Sequence, residues 1–342
     1  MKKIILATLA AAALVACAKE DVVVASEGET IAFNNAFIDN SVRSVDPSTT
    51  KDNLEGFRVY GTTEGDHTGA QIVNIFNNVL VGFNLSDGIG ADAWKYENQF
   101  VQYWIAGNTY NFAAVANAAD DTVAVDSYGM PSTISYNAVT RLDKDLLYAT
   151  YDDVVGLKSG NAPIAFTFNH LLAKVKFTFK NLSAATTNNK YTYRVSNIEV
   201  YNIGKEAVCN VANYNATSQY YSWVAPTAFY AEDAALNFGN IVATNEKDKE
   251  NTTAIKVAPN SEGSSLYEHL VIPGRYDNLT VKCRIELLYN DDVVDVQDYK
   301  ESISYGIEGG NSFNFVLTGQ VGEEIQFTVN KVNGWTENET NL

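Results

Sequence analysis

Strict two-residue alternation of apolar and polar side chains, recurring from end to end, is the feature that most constrains this chain. In "LTVKCRIELLYN", Leu279, Val281, Cys283, Ile285 and Leu287 fall on one parity, and Lys282, Arg284 and Glu286 on the other. "KVKFTFK" sets Val175, Phe177 and Phe179 against Lys174, Lys176, Thr178 and Lys180, and "SFNFVLTG" and "EEIQFTVN" repeat the pattern. Successive side chains of a strand point to opposite faces, so this period puts one face on a core and the other in water. No segment keeps a helical period beyond one or two turns, and polar turns interrupt the strands at short intervals. That combination favours an all-β sandwich architecture over an α/β fold. With 20 Tyr, 16 Phe and 4 Trp in 342 residues, a core of real size can be filled.

Three local expectations follow. In "IAFTFNHLLAKVKFTF" the apolar parity switches from even (Ile164, Phe166, Phe168) to odd (Val175, Phe177, Phe179) near Leu172; a bulge there would keep both halves on one core. Gly309-Gly310-Asn311, between two alternating runs, reads as a hairpin turn. The polar patch "LKSGNAP" marks the division of the chain into halves, just before Pro163.

The N-terminus reads as an export signal. Lys2 and Lys3 precede an apolar run from Ile4 to Ala16, too short to span a bilayer comfortably. The run ends in Leu14-Val15-Ala16-Cys17, which resembles the lipobox of bacterial lipoproteins, cut before a cysteine that carries diacylglycerol. Lys19-Glu20-Asp21 is similar to the signal that sends Bacteroidales lipoproteins to the cell surface. The expected location is therefore the outer membrane for the precursor, through the lipid on Cys17.

Charge and catalytic inventory narrow the function. With 24 Lys+Arg against 41 Asp+Glu the formal charge is −17, which argues against nucleic acid as a partner. Cys209 and Cys283 sit in apolar strand patterns and read as buried free thiols in preference to a disulfide. His67, His170 and His269 each lack a partner at metal-ligand spacing, so they read as lone polar residues. The acidic pairs Asp120-Asp121, Asp152-Asp153 and Asp291-Asp292 match neither a calcium loop nor a facing carboxylate couple. No catalytic, cofactor or metal constellation emerges, and the expectation is a protein that is not an enzyme and takes no cofactor. Trp94, Tyr96, Tyr220, Tyr221 and Trp223 support a competing reading, a monomeric surface lipoprotein that stacks glycans on exposed aromatics or binds host protein.

One stretch, "IAFNNAFIDNSVRSVDPSTT", opens as a strand and closes as a polar loop. Ile31, Phe33 and Phe37 share one parity, and the loop behind them carries a single arginine, Arg43, followed by Ser44. A terminal strand on such a loop can be cut away without breaking other connections. Its loss would uncover a strand edge, a template for another chain. Ile325, Phe327 and Val329, on one parity near the other terminus, could fill the vacancy.

Several segments together resemble the fimbrillin family of type V pilins: "DNLEGFRVYGTT", "YWIAGNTYNFAAVAN", "DLLYATYDDV", "IAFTFNHLLAKVKFTFKN" and "IQFTVNKVNGW". The resemblance implies two transthyretin-like Greek-key β-sandwich domains in tandem. It implies a signal peptide at 1–16 and a prosegment with the first strand at 17–43. An N-terminal sandwich at 44–162, completed by the strand at 29–39, and a C-terminal sandwich at 163–342 would follow. Cys17 then matches the lipidated cysteine, Arg43-Ser44 the cleavage loop of an arginine-specific protease, and Ile325, Phe327 and Val329 the donor strand. The implied partners are other fimbrial subunits and a host or bacterial surface receptor; the implied role is adhesion or biofilm formation from an extracellular fimbrium.

Overall fold

The computed structural model describes residues 28–38, 54–66, 69–83, 85, 88–91, 94–119, 121–141, 144–187, 190–215, 217, 220–243 and 252–332. Cys17, Arg43, Ser44 and His67 lie outside them, as does the side chain of Phe37. Among the described residues the helical pieces are two single 3-10 turns, Asn98–Phe100 and Glu232–Ala234, and Asp66, also in 3-10 conformation. Everything else regular is strand, as the alternation requires.

The first sheet has eight strands. Its order is β1 (Phe33–Ile38), β10 (Ile164–His170), β9 (Leu147–Val155), β6 (Thr109–Ala116), β2 (Gly56–Glu64), β3 (Val73–Phe83), β5 (Trp94–Tyr96) and β4 (Ile89–Ala91). The sheet curls so that β1, at one end, lies against β4 and β5 at the other. Inside the curl is an aromatic core with Phe33, Phe57, Phe76, Phe112, Phe166 and Phe168 all shut off from solvent. Part of the opposite face of the same sheet is dry as well. Tyr60, Ala113, Val115 and Tyr148 point outward from it into a second, larger core, which is why β2 and β6 are buried on both parities over most of their length.

Three further sheets enclose the second core. One has six strands: β17 (Ile241–Val242), β18 (Ser261–Ser265), β11 (Ala173–Asn181), β22 (Ser312–Gly319) and β23 (Gln326–Val332) in order, with β19 (His269–Val271) also on β11. Facing it is a four-stranded sheet of β16 (Leu236–Gly239), β12 (Tyr191–Tyr201), β20 (Gly274–Tyr289) and β21 (Asp292–Ile307). Their inner faces meet through ring pairs, Phe177 with Phe238 at 4.8 Å and Phe179 with Tyr193 at 5.2 Å between centroids, as two packed sheets should. The last sheet joins β14 (Ser222–Trp223), β13 (Gly204–Asn210), β8 (Pro131–Asn137) and β7 (Val123–Val125), with β15 (Ala228–Phe229) on β13.

Several sequence expectations need correction. The parity switch near Leu172 is not a bulge serving one core. Ile164, Phe166 and Phe168 of β10 fill the first core, whereas Val175, Phe177 and Phe179 of β11 fill the second. The switch marks the chain's passage between cores. Placing residues 164–170 in the second half is corrected likewise, because β10 is hydrogen-bonded to β1 and β9 in the first sheet. The division is crossed again where β8 pairs with β13. Gly309-Gly310 turns the chain from β21 into β22, which belong to different sheets, so it closes no hairpin. The long hairpin lies elsewhere: Tyr289 pairs with Asp292 across Asn290 (φ 50°) and Asp291 (φ 76°), the left-handed pair that a two-residue type I′ loop requires. Cys209 and Cys283 are buried and unbonded to each other, and burial pushes each thiol up to about 12.

Candidate functional site: the groove of the first strand

Residues 29–34 thread between two backbones. On one side the Trp104 N–H donates to Glu29 O (2.9 Å) and the Ile31 N–H to Gln102 O (2.8 Å), flanking an antiparallel bridge from Thr30 to Tyr103. On the other side the Ile164 N–H donates to Ala32 O (2.8 Å), and a parallel ladder begins, Phe33 opposite Ile164 and Asn34 opposite Ala165. Alternate backbone groups of an extended strand point to opposite edges, which lets one segment satisfy both neighbours. The register then slips: Phe37 stands opposite Thr167 and Ile38 opposite Phe168, three steps in β1 for two in β10. The single parity expected for Ile31, Phe33 and Phe37 is therefore interrupted by a bulge after Asn34.

Side chains fix the segment more specifically. Ile31 and Phe33 have no exposed surface. The Phe33 ring lies 5.5 Å from Phe76, 5.6 Å from Tyr96 and 6.2 Å from Phe112 in edge-on contacts, and stacks on Phe166 at 6.0 Å. The Tyr96 hydroxyl, whose pKa burial pushes up to about 12, donates to Ile31 O at 2.7 Å. At the mouth, Asn161 gives both its backbone N–H (2.7 Å) and its side-chain amide (2.9 Å) to Glu29 Oε2, and these bonds hold the Glu29 carboxyl below the usual carboxylate range. Asn161 is itself fixed by Leu157, accepting from its N–H and donating to its carbonyl. The "LKSGNAP" patch is thus a clasp on the incoming strand.

Magnitudes show what this segment does for the first core. Full burial of Ile31 and Phe33 contributes roughly 1.5–3 kcal/mol each. Without the strand, Trp104 N, Gln102 O, Ile164 N and the Tyr96 hydroxyl would lose their partners; a buried polar group left unsatisfied costs roughly 1–3 kcal/mol.

The tail is placed differently. β23 pairs antiparallel with β22, Leu317 opposite Phe327 and Phe315 opposite Val329, and forms the open edge of its sheet. Ile325, Phe327 and Val329 turn toward the second core but remain half-buried, the Phe327 ring 5.6 Å from Phe315. The structure therefore places the first strand and the tail on different sheets, each at a sheet edge.

The remaining candidates are structural. Trp94 and Tyr96 are core residues, and Tyr221 and Trp223 are half-buried, donating to His170 O (3.2 Å) and Leu171 O (2.8 Å). Of the five aromatics expected to stack glycans only Tyr220 is exposed. His170 is not a lone residue: its Nδ1 lies 2.5 Å from Asp145 Oδ2, both buried. The partner comes from the loop that leads into β9, 25 residues away, where local spacing has no reach. His269 Nε2 meets Asn237 O at 2.7 Å. Among the described residues no cluster of three His, Cys, Asp or Glu side chains is placed to hold a metal. Sequence reading missed Glu29, Gln102, Trp104 and Asn161; the two acidic or amide side chains carried no pattern, and backbone partners leave none.

Residues 43–335 match the fimbrillin-like family. No curated protein matches the chain. Among solved structures, a fimbrial protein from Bacteroides vulgatus superposes with a TM-score of 0.60 at 17% identity, covering 90% of this chain and 99% of its own. A putative cell adhesion protein from Parabacteroides distasonis gives 0.45 at 11% identity, covering 91% and 99%. The tip fimbrial protein Mfa3 from Porphyromonas gingivalis gives 0.39 at 10%, covering 82% and 94%. The fold argument rests on the first of these, and the family on a match that spans most of the sequence: the chain belongs to the fimbrillin-like family.

Proposed function

We propose that this protein is a structural subunit of an adhesive fimbrium, made as a surface lipoprotein precursor and polymerised by strand exchange. The lipid on Cys17 would hold the precursor at the outer membrane. Hydrolysis of the Arg43–Ser44 amide by an arginine-specific protease would free the segment that ends at Arg43, and the tail of another subunit would enter the groove. Two β-sandwich units, meeting where the chain passes Leu171 and Leu172, would form each link. A receptor on a host or bacterial surface would be met by the assembled fibre.

One observation carries this reading: Ile31 and Phe33 have no exposed surface, yet they belong to a segment whose strand ends at Ile38, eighteen residues before β2 begins at Gly56, with Arg43 in the polar sequence between. A core residue on a detachable strand is a weak design for a monomer and a suitable one for a subunit activated by cutting. The test is treatment of purified precursor with an arginine-specific protease. A cut at Arg43 followed by loss of residues up to 43 and growth of oligomers is expected, and Arg43→Ala should block both. Clean cutting with a monomer of unchanged stability would refute the proposal.

A further inference from the structure

The groove's occupant and the tail share a sequence. Gly28-Glu29-Thr30-Ile31-Ala32-Phe33 and Gly322-Glu323-Glu324-Ile325-Gln326-Phe327 are identical at four of six positions, with no gap. The identities fall where the groove is selective. Glu29 takes both Asn161 amides, Ile31 is fully buried, and Phe33 fills the pocket of Phe76, Tyr96, Phe112 and Phe166. The two differences, Thr30/Glu324 and Ala32/Gln326, occur at half-exposed positions of the first strand, where the groove uses the Ala32 carbonyl and the Thr30 backbone. Main-chain groups are common to any residue there.

Resting on the strand-exchange reading, we infer that the groove's partner is a second copy of this chain. Its residues 322–327 enter in the same direction as the first strand and at a fixed register, Glu323 at the place of Glu29, Ile325 of Ile31 and Phe327 of Phe33. Direction follows from the ends. Entry in this sense brings a carboxylate to the Asn161 amides and an Ile carbonyl to the Tyr96 hydroxyl; entry in the opposite sense at the Phe pocket carries Glu323 away from Asn161. A driving force is visible too. Ile325 and Phe327 are only half-buried on β22, whereas the residues of the same type in the groove have no exposure. Transfer of apolar side chains to a drier site is favourable in proportion to the area removed from water.

The register sets Thr328 at the place of Asn34, which is opposite Ala165. Two precursors, Ala165→Cys and Thr328→Cys, are mixed, cut with an arginine-specific protease and treated with a short bifunctional thiol reagent; links are mapped by mass spectrometry. Residues 165 and 328 are both solvent-accessible and the native Cys209 and Cys283 are buried. A link between 165 of one copy and 328 of another is the expected result. Oligomers that link 165 instead to Cys introduced at 326 or 330 would leave strand exchange standing and overturn the register. Cut protein that stays monomeric would overturn both. A second variant guards against altered folding: Phe327→Ala should donate at least about a hundredfold less well, from the cost of emptying an aromatic pocket. It should still accept a wild-type tail, since its own groove is intact. Equal donation by Phe327→Ala would overturn the assignment of Phe327 to the Phe33 pocket.

Discussion

Phe33 is held by four rings, each from a different strand: Phe76 of β3, Tyr96 of β5, Phe112 of β6 and Phe166 of β10. Phe33→Ala in the uncut precursor should lower stability by about 3–5 kcal/mol, the usual cost of emptying a large aromatic site in a core, measurable by urea denaturation. The buried Asp145–His170 pair predicts a smaller loss for a different reason. Asp145→Ala leaves a buried imidazole nitrogen without the carboxylate it faces, at about 1–3 kcal/mol. Glu29 gives a pH dependence whose sign is fixed. Its folded pKa is lowered by the Asn161 amides, so its contribution is complete above the ordinary carboxylate range and fades as pH falls through the lowered value. The protection of the Ile31 amide against hydrogen exchange, taken relative to the intrinsic exchange rate at each pH, should therefore fall in acid, and Glu29→Gln should remove that pH dependence. Ile31 and Phe33 were legible from parity, because a core imposes period two on whatever strand it buries. Glu29 and Asn161 were not. Their bond joins residues 132 positions apart, and neither belongs to an alternating pattern.

At the scale of elements, most strands could be read and their partners could not. Alternation reports which face is buried but is silent about which core buries it, so β10 and β11 looked like one bulged strand. What separates them is a short crossover, Leu171-Leu172, gripped by polar groups from elsewhere in the chain. Trp223 Nε1 donates to Leu171 O at 2.8 Å, and the Gly310 N–H to Leu172 O at 2.7 Å. Trp223→Phe keeps an aromatic ring but withdraws the donor from a carbonyl on a fully buried residue. A loss of about 1–3 kcal/mol is expected, together with faster hydrogen exchange at residues 171–173, where the two cores are joined. An unchanged exchange rate would show that the remaining backbone bonds, Leu171 N–H to Leu146 O and Gly310 N–H to Leu172 O, hold the crossover without it. The β20–β21 hairpin was missed for a similar reason of chemistry: Asn290-Asp291 takes the turn that Asn-Gly signals more loudly, and the conspicuous Gly309-Gly310 pair serves a passage between sheets.

For the whole molecule, charge and assembly pull in opposite directions. The full chain has 24 basic and 41 acidic residues; cutting after Arg43 leaves 20 and 36, a charge of −16. Subunits that must meet end to end therefore repel one another at long range, while the contact that joins them is a dry aromatic pocket and a run of backbone hydrogen bonds. Repulsion of this kind is screened over about 30 Å at 0.01 M salt and about 8 Å at 0.15 M, whereas burial of Phe327 is not weakened by salt at these concentrations. The rate at which cut precursor polymerises, followed by light scattering, should accordingly rise several-fold between those two salt concentrations. The 165–328 link should form at both, because register is set by side-chain fit and not by the field. A rate that fell with salt would mean that opposite charges steer the subunits together. The local patches responsible, such as the lysines of β11 at positions 176 and 180, would then outweigh the net charge of the molecule.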